Sequence, residues 1–290
     1  MKYYLLSIFL VFTISCNQTE QEISPVDELE REEFIPEYAF FTAGHAYGHP
    51  SEKHVGLHTP FVNQIPFIND YPKIALGVLT GDVVRRSTQQ YWDSVRTDID
   101  QFSIPIYIAA GNHDRGTLFE KYYPYYQSFT HKKDLFIILS PTDWNIDGPQ
   151  KEFLSSTLEE KASEVNNVFI FCHELVWWSP QNRFKNIDIN YRPHYAGSSN
   201  YWEEISPILE TYSNNFVLFA GDLGATDLVD AYMYYSYDNI TLVASGMGGR
   251  KKDNIIITEV DTDGELQFKL LKIDEGIPVE LANLQEYVLP

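Results

Sequence analysis

The run Gly111-Asn112-His113-Asp114 sets an amide oxygen, an imidazole and a carboxylate on consecutive positions. These groups ligate divalent cations and move protons. The run follows the apolar stretch Ile104 to Ile108, which reads as a buried strand, so the cluster stands where the chain leaves a sheet. Four more apolar runs end in the same way. Tyr38 to Gly44 ends in His45, Ile74 to Thr80 in Gly81-Asp82, Val168 to Cys172 in His173, and Phe216 to Ala220 in Gly221-Asp222. Any one of these is an ordinary turn or a satisfied histidine. Five strand ends, each carrying a metal-capable or acid-base residue, point to one shared site.

Between these ends the sequence places the elements that would hold them. Thr88 to Phe102 has Trp92, Val95 and Ile99 at helical spacing, and Gln150 to Val165 reads as a helix with Phe153, Leu154 and Leu158 inward. Pro60 to Asn69 reads as a short helix, Leu118 to Phe129 as helix and loop, and Tyr201 to Tyr212 as a helix. Leu135 to Leu139 is a further strand. Ile240 to Ala244, Asn254 to Val260 and Leu266 to Ile273 have period-two patterning, with an Asp263-Gly264 hairpin signal. Strands alternating with helices predict an α/β sheet whose functional residues lie past the carboxyl ends of the strands.

The chain has 290 residues and a formal charge of -20, a balance that repels a nucleic-acid backbone. No nucleic-acid partner is expected, and an anionic substrate needs local positive charge. Arg85, Arg86, Arg115, Arg250, Lys251 and Lys252 are the local exceptions, and bound cations would be another source. Residues 1–15 begin with Lys2 and an apolar run and read as a signal peptide, too short to span a membrane convincingly. Small residues before Cys16 and polar ones after it resemble a bacterial lipobox, although Thr13 stands where Leu is usual. On that reading Cys16 is lipidated and the protein is exported, anchored in a membrane and facing the periplasm or cell surface. Residues 16–37 read as an acidic flexible tether, residues 38–274 as the folded domain and 275–290 as a C-terminal tail. Cys172 reads as a core thiol.

The order of strand-end residues resembles the calcineurin-like metallophosphoesterases, whose motifs run Asp-x-His, Gly-Asp, Gly-Asn-His-Asp/Glu, a later His, and Gly-His-x-His. Leu79-Thr80-Gly81-Asp82 and Ala110-Gly111-Asn112-His113-Asp114 match closely. The resemblance implies an α/β fold, a four-layer α/β/β/α sandwich of two mixed sheets flanked by helices. It also implies one or two divalent ions (Mn, Mg, Ca, Fe or Zn) that bind a phosphate ester and activate water. Carried over by motif, Asp82 bridges the ions and Asn112 and His173 hold the second. His113 contacts the phosphate and assists the leaving group, with Asp114 orienting its imidazole.

Two motifs depart from the pattern. The first is Ala43-Gly44-His45, without its carboxylate, and the last is Gly221-Asp222-Leu223-Gly224, with Asp222 and Gly224 for the two histidines. The second metal position therefore keeps Asp82, Asn112, His173 and a substituted Asp222. The first keeps His45 and the shared Asp82, with Tyr47, His49 and Asp227 as candidate replacement ligands. His54 and His58 read as loop residues.

The reading is an exported, metal-dependent phosphoesterase acting on a small phosphorylated substrate, a mono- or diester, through a reduced metal site. The alternative is a non-catalytic binding or scaffold protein on the same fold. Carbohydrate binding is a further possibility, suggested by Trp177, Trp178, Tyr191, Tyr195, Tyr201 and Trp202, although such aromatics also fill cores. The same loop carries Arg183, Lys185 and Arg192, which would suit an anion.

Overall fold

The computed structural model describes residues 34–190, 199–274 and 276–290. The expected signal segment, Cys16, most of the tether and Tyr191, Arg192 and Tyr195 lie outside them. The described residues begin with β1 (Pro36–Gly44), then two short helices, α1 (Thr59–Val62) and α2 (Ile65–Asn69), where a single one was expected. It continues through β2 (Ile74–Thr80), α3 (Gln89–Ile99), β3 (Ile106–Ala109) and α4 (Thr117–Tyr122). The strands β4 (Gln127–His131) and β5 (Asp134–Ile138), the helix α5 (Gly148–Lys161) and β6 (Asn167–Phe171) follow. The last third holds α6 (Ser206–Leu209), β7 (Asn215–Ala220), β8 (Tyr232–Tyr237), β9 (Ile240–Ser245), β10 (Asn254–Asp261), β11 (Leu266–Lys272) and β12 (Val279–Ala282).

These strands form two six-stranded mixed sheets, ordered β12-β11-β10-β1-β2-β3 and β4-β5-β6-β7-β9-β8. In the first, β1, β2 and β3 run parallel; in the second, β5, β6, β7 and β9 do. Side chains alternate between two cores, as the period of a strand requires. Phe40, Val78, Phe136, Phe169, Phe171 and Phe219 fill the space between the sheets. Ala39, Phe41, Leu79 and Ile108 pack instead with Phe61, Ile65, Trp92 and Val95 on the outer face of the first sheet. Leu135, Ile170 and Leu218 pack with Leu154 and Leu158 outside the second. The four-layer α/β/β/α sandwich is therefore the fold. At its centre the Phe40 ring meets Phe169 at 4.8 Å and Phe136 at 5.2 Å, both edge to face. Truncating such a buried Phe costs about 3–5 kcal/mol.

Two boundaries differ from the sequence reading. Pro36 and Glu37, assigned to the tether, are the first residues of β1. Residues 275–290, expected as a tail, carry β12, which pairs antiparallel with β11, and Leu284 beyond it is buried. Val279 and Glu280 of this edge strand are exposed, which hid it from a hydrophobic pattern. The Asp263-Gly264 hairpin joins β10 to β11 as expected, with Gly264 at φ +89°.

Candidate metal centre

The ends of parallel strands from both sheets meet at one edge of the sandwich. Glycine makes the meeting possible: a Cβ on Gly221, after β7, would lie 1.9 Å from the Thr80 carbonyl oxygen at the end of β2. The chain turns sharply there, and His45 and Asp82 both adopt left-handed backbone conformations, at φ 51° and 49°. Such geometry costs on the order of 1–3 kcal/mol at a non-glycine residue and is concentrated at functional sites.

Asp82 is the hub. Its Oδ2 lies 3.6 Å from His45 Nε2 and its Oδ1 3.5 Å from His173 Nε2, while the His113 backbone N–H donates to Oδ1 at 3.1 Å. His173 Nε2 also stands 3.7 Å from Asp222 Oδ1. The other ring nitrogens face backbone carbonyls: His45 Nδ1 meets Met247 O at 3.1 Å and His173 Nδ1 meets Thr80 O at 2.9 Å. Fixing Nδ1–H on a carbonyl leaves Nε2 as the lone-pair nitrogen, the usual arrangement of a metal-ligating histidine. His173 is fully buried, and its Nε2 has no hydrogen-bond partner among the described residues. Separations of 3.5–3.7 Å exceed a charge-assisted hydrogen bond, about 2.7–2.9 Å. They are close to the spacing of atoms that share one cation, about 3.0–3.4 Å for bonds near 2.1 Å.

The electrostatics agree. Burial favours a neutral Asp82, but the imidazoles of His173, His45 and His113 outweigh it and hold the carboxyl well below its usual range. Burial pushes His45 down to about 4, with Asp82 pulling the other way. Burial also opposes a charge on His173, yet Asp82 and Asp222 hold its pKa well above the ordinary value. A cation bound at Nε2 would take the place of that proton.

A cavity of about 390 Å³ opens over these groups, lined by His45, Tyr47, Asp82, Asn112, His113 and Asp222 among others. A second, of about 320 Å³, shares Asn112 and Asp222 and adds Arg115 and Glu174. The structure thus brings His45, Asp82, Asn112, His113, His173 and Asp222 together. His49 and Asp227, the suggested replacement ligands, do not line either cavity. His49 Nδ1 is engaged by the Ser51 hydroxyl at 2.8 Å, and Asp227 lines a separate hollow with Lys251 and Lys252. Tyr47 does reach the site, its ring centroid 4.4 Å from His45 and 5.1 Å from His113. Burial and the Asp82 charge raise its pKa, so it faces the site as a neutral phenol.

Asp114 takes a different part from the one expected. Its Oδ1 accepts from the Val83 and Val84 backbone N–H groups at 2.8 and 2.9 Å, and its Oδ2 from Gly111 N–H at 2.8 Å. The Nδ1 of His113 meets Arg85 O at 2.7 Å instead. Asp114 therefore ties the Asp82 turn to the Gly111 turn, and a backbone carbonyl orients the imidazole. Burial, helped by the Asp82 charge, pushes the Asp114 carboxyl up to about 7.

Glu174 escaped the sequence reading, and Arg115 was read there as one of several local positive charges. Glu174 follows a buried strand end like any turn acid, yet it is 6% exposed, and burial raises its pKa to about 7 despite His173 and Arg115 nearby. Arg115 donates to the Ser140 and Pro141 carbonyls, which holds a guanidinium in the wall of the cavity. The aromatic cluster is core: Trp177, Trp178 and Tyr201 are at most 1% exposed, and Trp202 is partly buried and donates to Trp177 O. Packed rings offer no face to a sugar, so these described residues do not support carbohydrate binding. Arg183 is taken up by the Tyr235 hydroxyl.

Residues 54–221 match the family described as calcineurin-like phosphoesterase. Among solved structures, the chain is similar to a dimetal phosphatase from Danio rerio, with a TM-score of 0.58 and 11% identity over 86% of this chain and 100% of that one. A NAD nucleotidase from Haemophilus influenzae gives a TM-score of 0.39 and 12% identity, over 84% of this chain and 53% of that one. No curated protein matches the sequence.

Proposed function

The chain belongs to the calcineurin-like phosphoesterase family, and on that premise we propose that it hydrolyses a small phosphate mono- or diester with one divalent ion as its main metal. The observation that carries this reading is the buried Nε2 of His173, which has no hydrogen-bond partner among the described residues and faces the Asp82 and Asp222 carboxylates at 3.5 and 3.7 Å. Those three residues, with Asn112 at the lip, would hold the ion. Oxygen ligands outnumber nitrogen there, a set suited to Mn²⁺ or Mg²⁺ at least as well as Zn²⁺. Bound there, a divalent cation supplies charge neutralisation for phosphoryl oxygens and lowers the pKa of water.

The chain's own residues supply the rest. His113, with Nδ1 on the Arg85 carbonyl, keeps Nε2 for the substrate, and its imidazolium form can hand a proton to the leaving oxygen. Arg115 and the Tyr47 hydroxyl add donors around an anion in a chain that is otherwise strongly acidic. His45 keeps a ligand geometry toward Asp82, but no carboxylate stands at Ala43 and no imidazole at Gly224. That loss favours a second reading, a phosphate-binding protein on the same fold without turnover.

The test is metal content of the purified protein followed by Mn²⁺-dependent hydrolysis of aryl phosphate mono- and diesters. A chain that binds metal and phosphate without releasing the aryl alcohol is the second reading. A chain that binds no divalent metal refutes both. Export with Cys16 as a lipid anchor is part of the proposal: Cys16→Ser should move the protein from the membrane to the soluble fraction. Unchanged fractionation would refute the anchor.

A further inference from the structure

A second group of ligand-type side chains lies outside the cavity just described. Glu52, His54 and His58 occupy the loop between β1 and α1, and one ligand atom from each lies within 4.8 Å of the others. Glu52 Oε2 stands 3.4 Å from His54 Nδ1 and 3.5 Å from His58 Nδ1. His58 is only 1% exposed, and its Nδ1 has no hydrogen-bond partner among the described residues. The Nε2 of the same ring is held at 2.8 Å by Asp253 Oδ2. Asp253 is itself fixed, its Oδ1 accepting from the backbone N–H groups of Gly248 and Arg250, both at 2.8 Å.

We propose that Glu52, His54 and His58 form a second metal site, one that takes Zn²⁺. The separations decide against plain ion pairs. A protonated imidazole on a carboxylate closes to about 2.7–2.9 Å, whereas two ligands of a tetrahedral ion with bonds near 2.1 Å stand about 3.4 Å apart. The Asp253 carboxylate on Nε2 claims the ring proton and turns the Nδ1 lone pair toward Glu52, the carboxylate–histidine–metal relay of known sites. Two imidazoles and one carboxylate, with a water to complete four, suit the borderline Zn²⁺ better than Mg²⁺ or Ca²⁺. An adjoining hollow of about 350 Å³, lined by Glu52, His58 and Arg250 among others, supplies an entry path.

The loop is already braced for this purpose. Leu57 N–H donates to Asp98 Oδ2 at 2.8 Å and His58 N–H to Ala46 O at 2.8 Å. The same loop begins with His45 and Tyr47. An ion here clamps the side of the main centre that has the fewest ligands.

The test uses the full chain, stripped of metal and dialysed against limiting free Zn²⁺, with bound zinc counted by elemental analysis. The parent should bind one equivalent more than His54→Ala, and Glu52→Gln should weaken that equivalent at least tenfold. Asp82→Ala should retain it, because the ligands are separate. Co²⁺ in Asp82→Ala should give tetrahedral visible absorption that His54→Ala, added to it, abolishes. Both test residues are about one-quarter exposed, so folding survives their replacement, and circular dichroism checks it. Equal zinc content in the parent and His54→Ala would overturn the site. None of these readouts depends on turnover.

Discussion

The two sides of the Asp82 carboxylate are built to different standards. On one side His173 is fully buried, its Nδ1 held by Thr80 O, its Nε2 facing both Asp82 and Asp222. On the other, His45 has its Nδ1 on Met247 O in the same way, but its Nε2 faces a single carboxylate among the described residues, that of Asp82, with the Tyr47 ring packed 4.4 Å away. The poorer side is fixed in the backbone as well as in the side chains. Gly224, where the family pattern has its second histidine, has φ +75°, and a Cβ there would lie 2.5 Å from Gly246. Restoring that ligand would require rebuilding two turns. The difference teaches that ligand loss here is a property of how the strand ends pack, and on the proposed function it makes one strong metal position beside a weak one.

Four measurements press on that contrast. The largest effect belongs to the shared residue: Asp82→Ala should lower kcat/KM of aryl phosphate hydrolysis by about 10³-fold or more and abolish tight Mn²⁺ binding at this centre. Retained activity would mean that Asp82 is not the hub of the centre. Next, His173→Ala should cost metal affinity at least ten times as much as His45→Ala, measured by titration of the stripped protein; equal losses would make the two sides equivalent. His113→Ala should lower kcat about 10²- to 10⁴-fold while metal content stays at the parent level. Co-loss of metal would make His113 a ligand instead.

The smallest effect concerns stability. Glu174 has an ordinary value of 4.5 raised by burial to about 7. Between these values the folded chain keeps a proton that the unfolded chain has released. Its stabilising contribution is complete below about pH 4.5 and is lost as pH rises through 7. A shift of that size is worth about 3 kcal/mol. In metal-stripped protein Glu174→Gln should therefore gain about that much at pH 8 relative to pH 5, read by urea denaturation. A pH-independent difference would place the carboxylate in solvent.

Most of the sandwich was legible because buried parallel strands announce themselves as short apolar runs, and the site because such runs ended in His, Asp or Asn. β4, β8 and β12 were not, since edge strands are half exposed and carry polar or mixed residues such as Gln127, Ser236 and Glu280. Asp114 was found but given the wrong partner: which atom a carboxylate meets depends on the turn at Asp82, thirty-two positions away in the chain. Glu174 was hidden because its exposure is set by packing in the second sheet. His54 and His58 were visible as residues, but only the structure shows Asp253 behind His58, across 195 positions.

The contact of Gly221 with Thr80 joins the tip of β2 in one sheet to the tip of β7 in the other. Asp82 and Asp222 follow those tips directly, so neither sheet alone contains the centre. During folding each sheet can acquire its hydrogen bonds while metal affinity is still nil, because the ligands converge only when the two halves close. In a refolding experiment the far-ultraviolet circular dichroism should recover first and Mn²⁺ affinity last, a clock for the final closure of the sandwich.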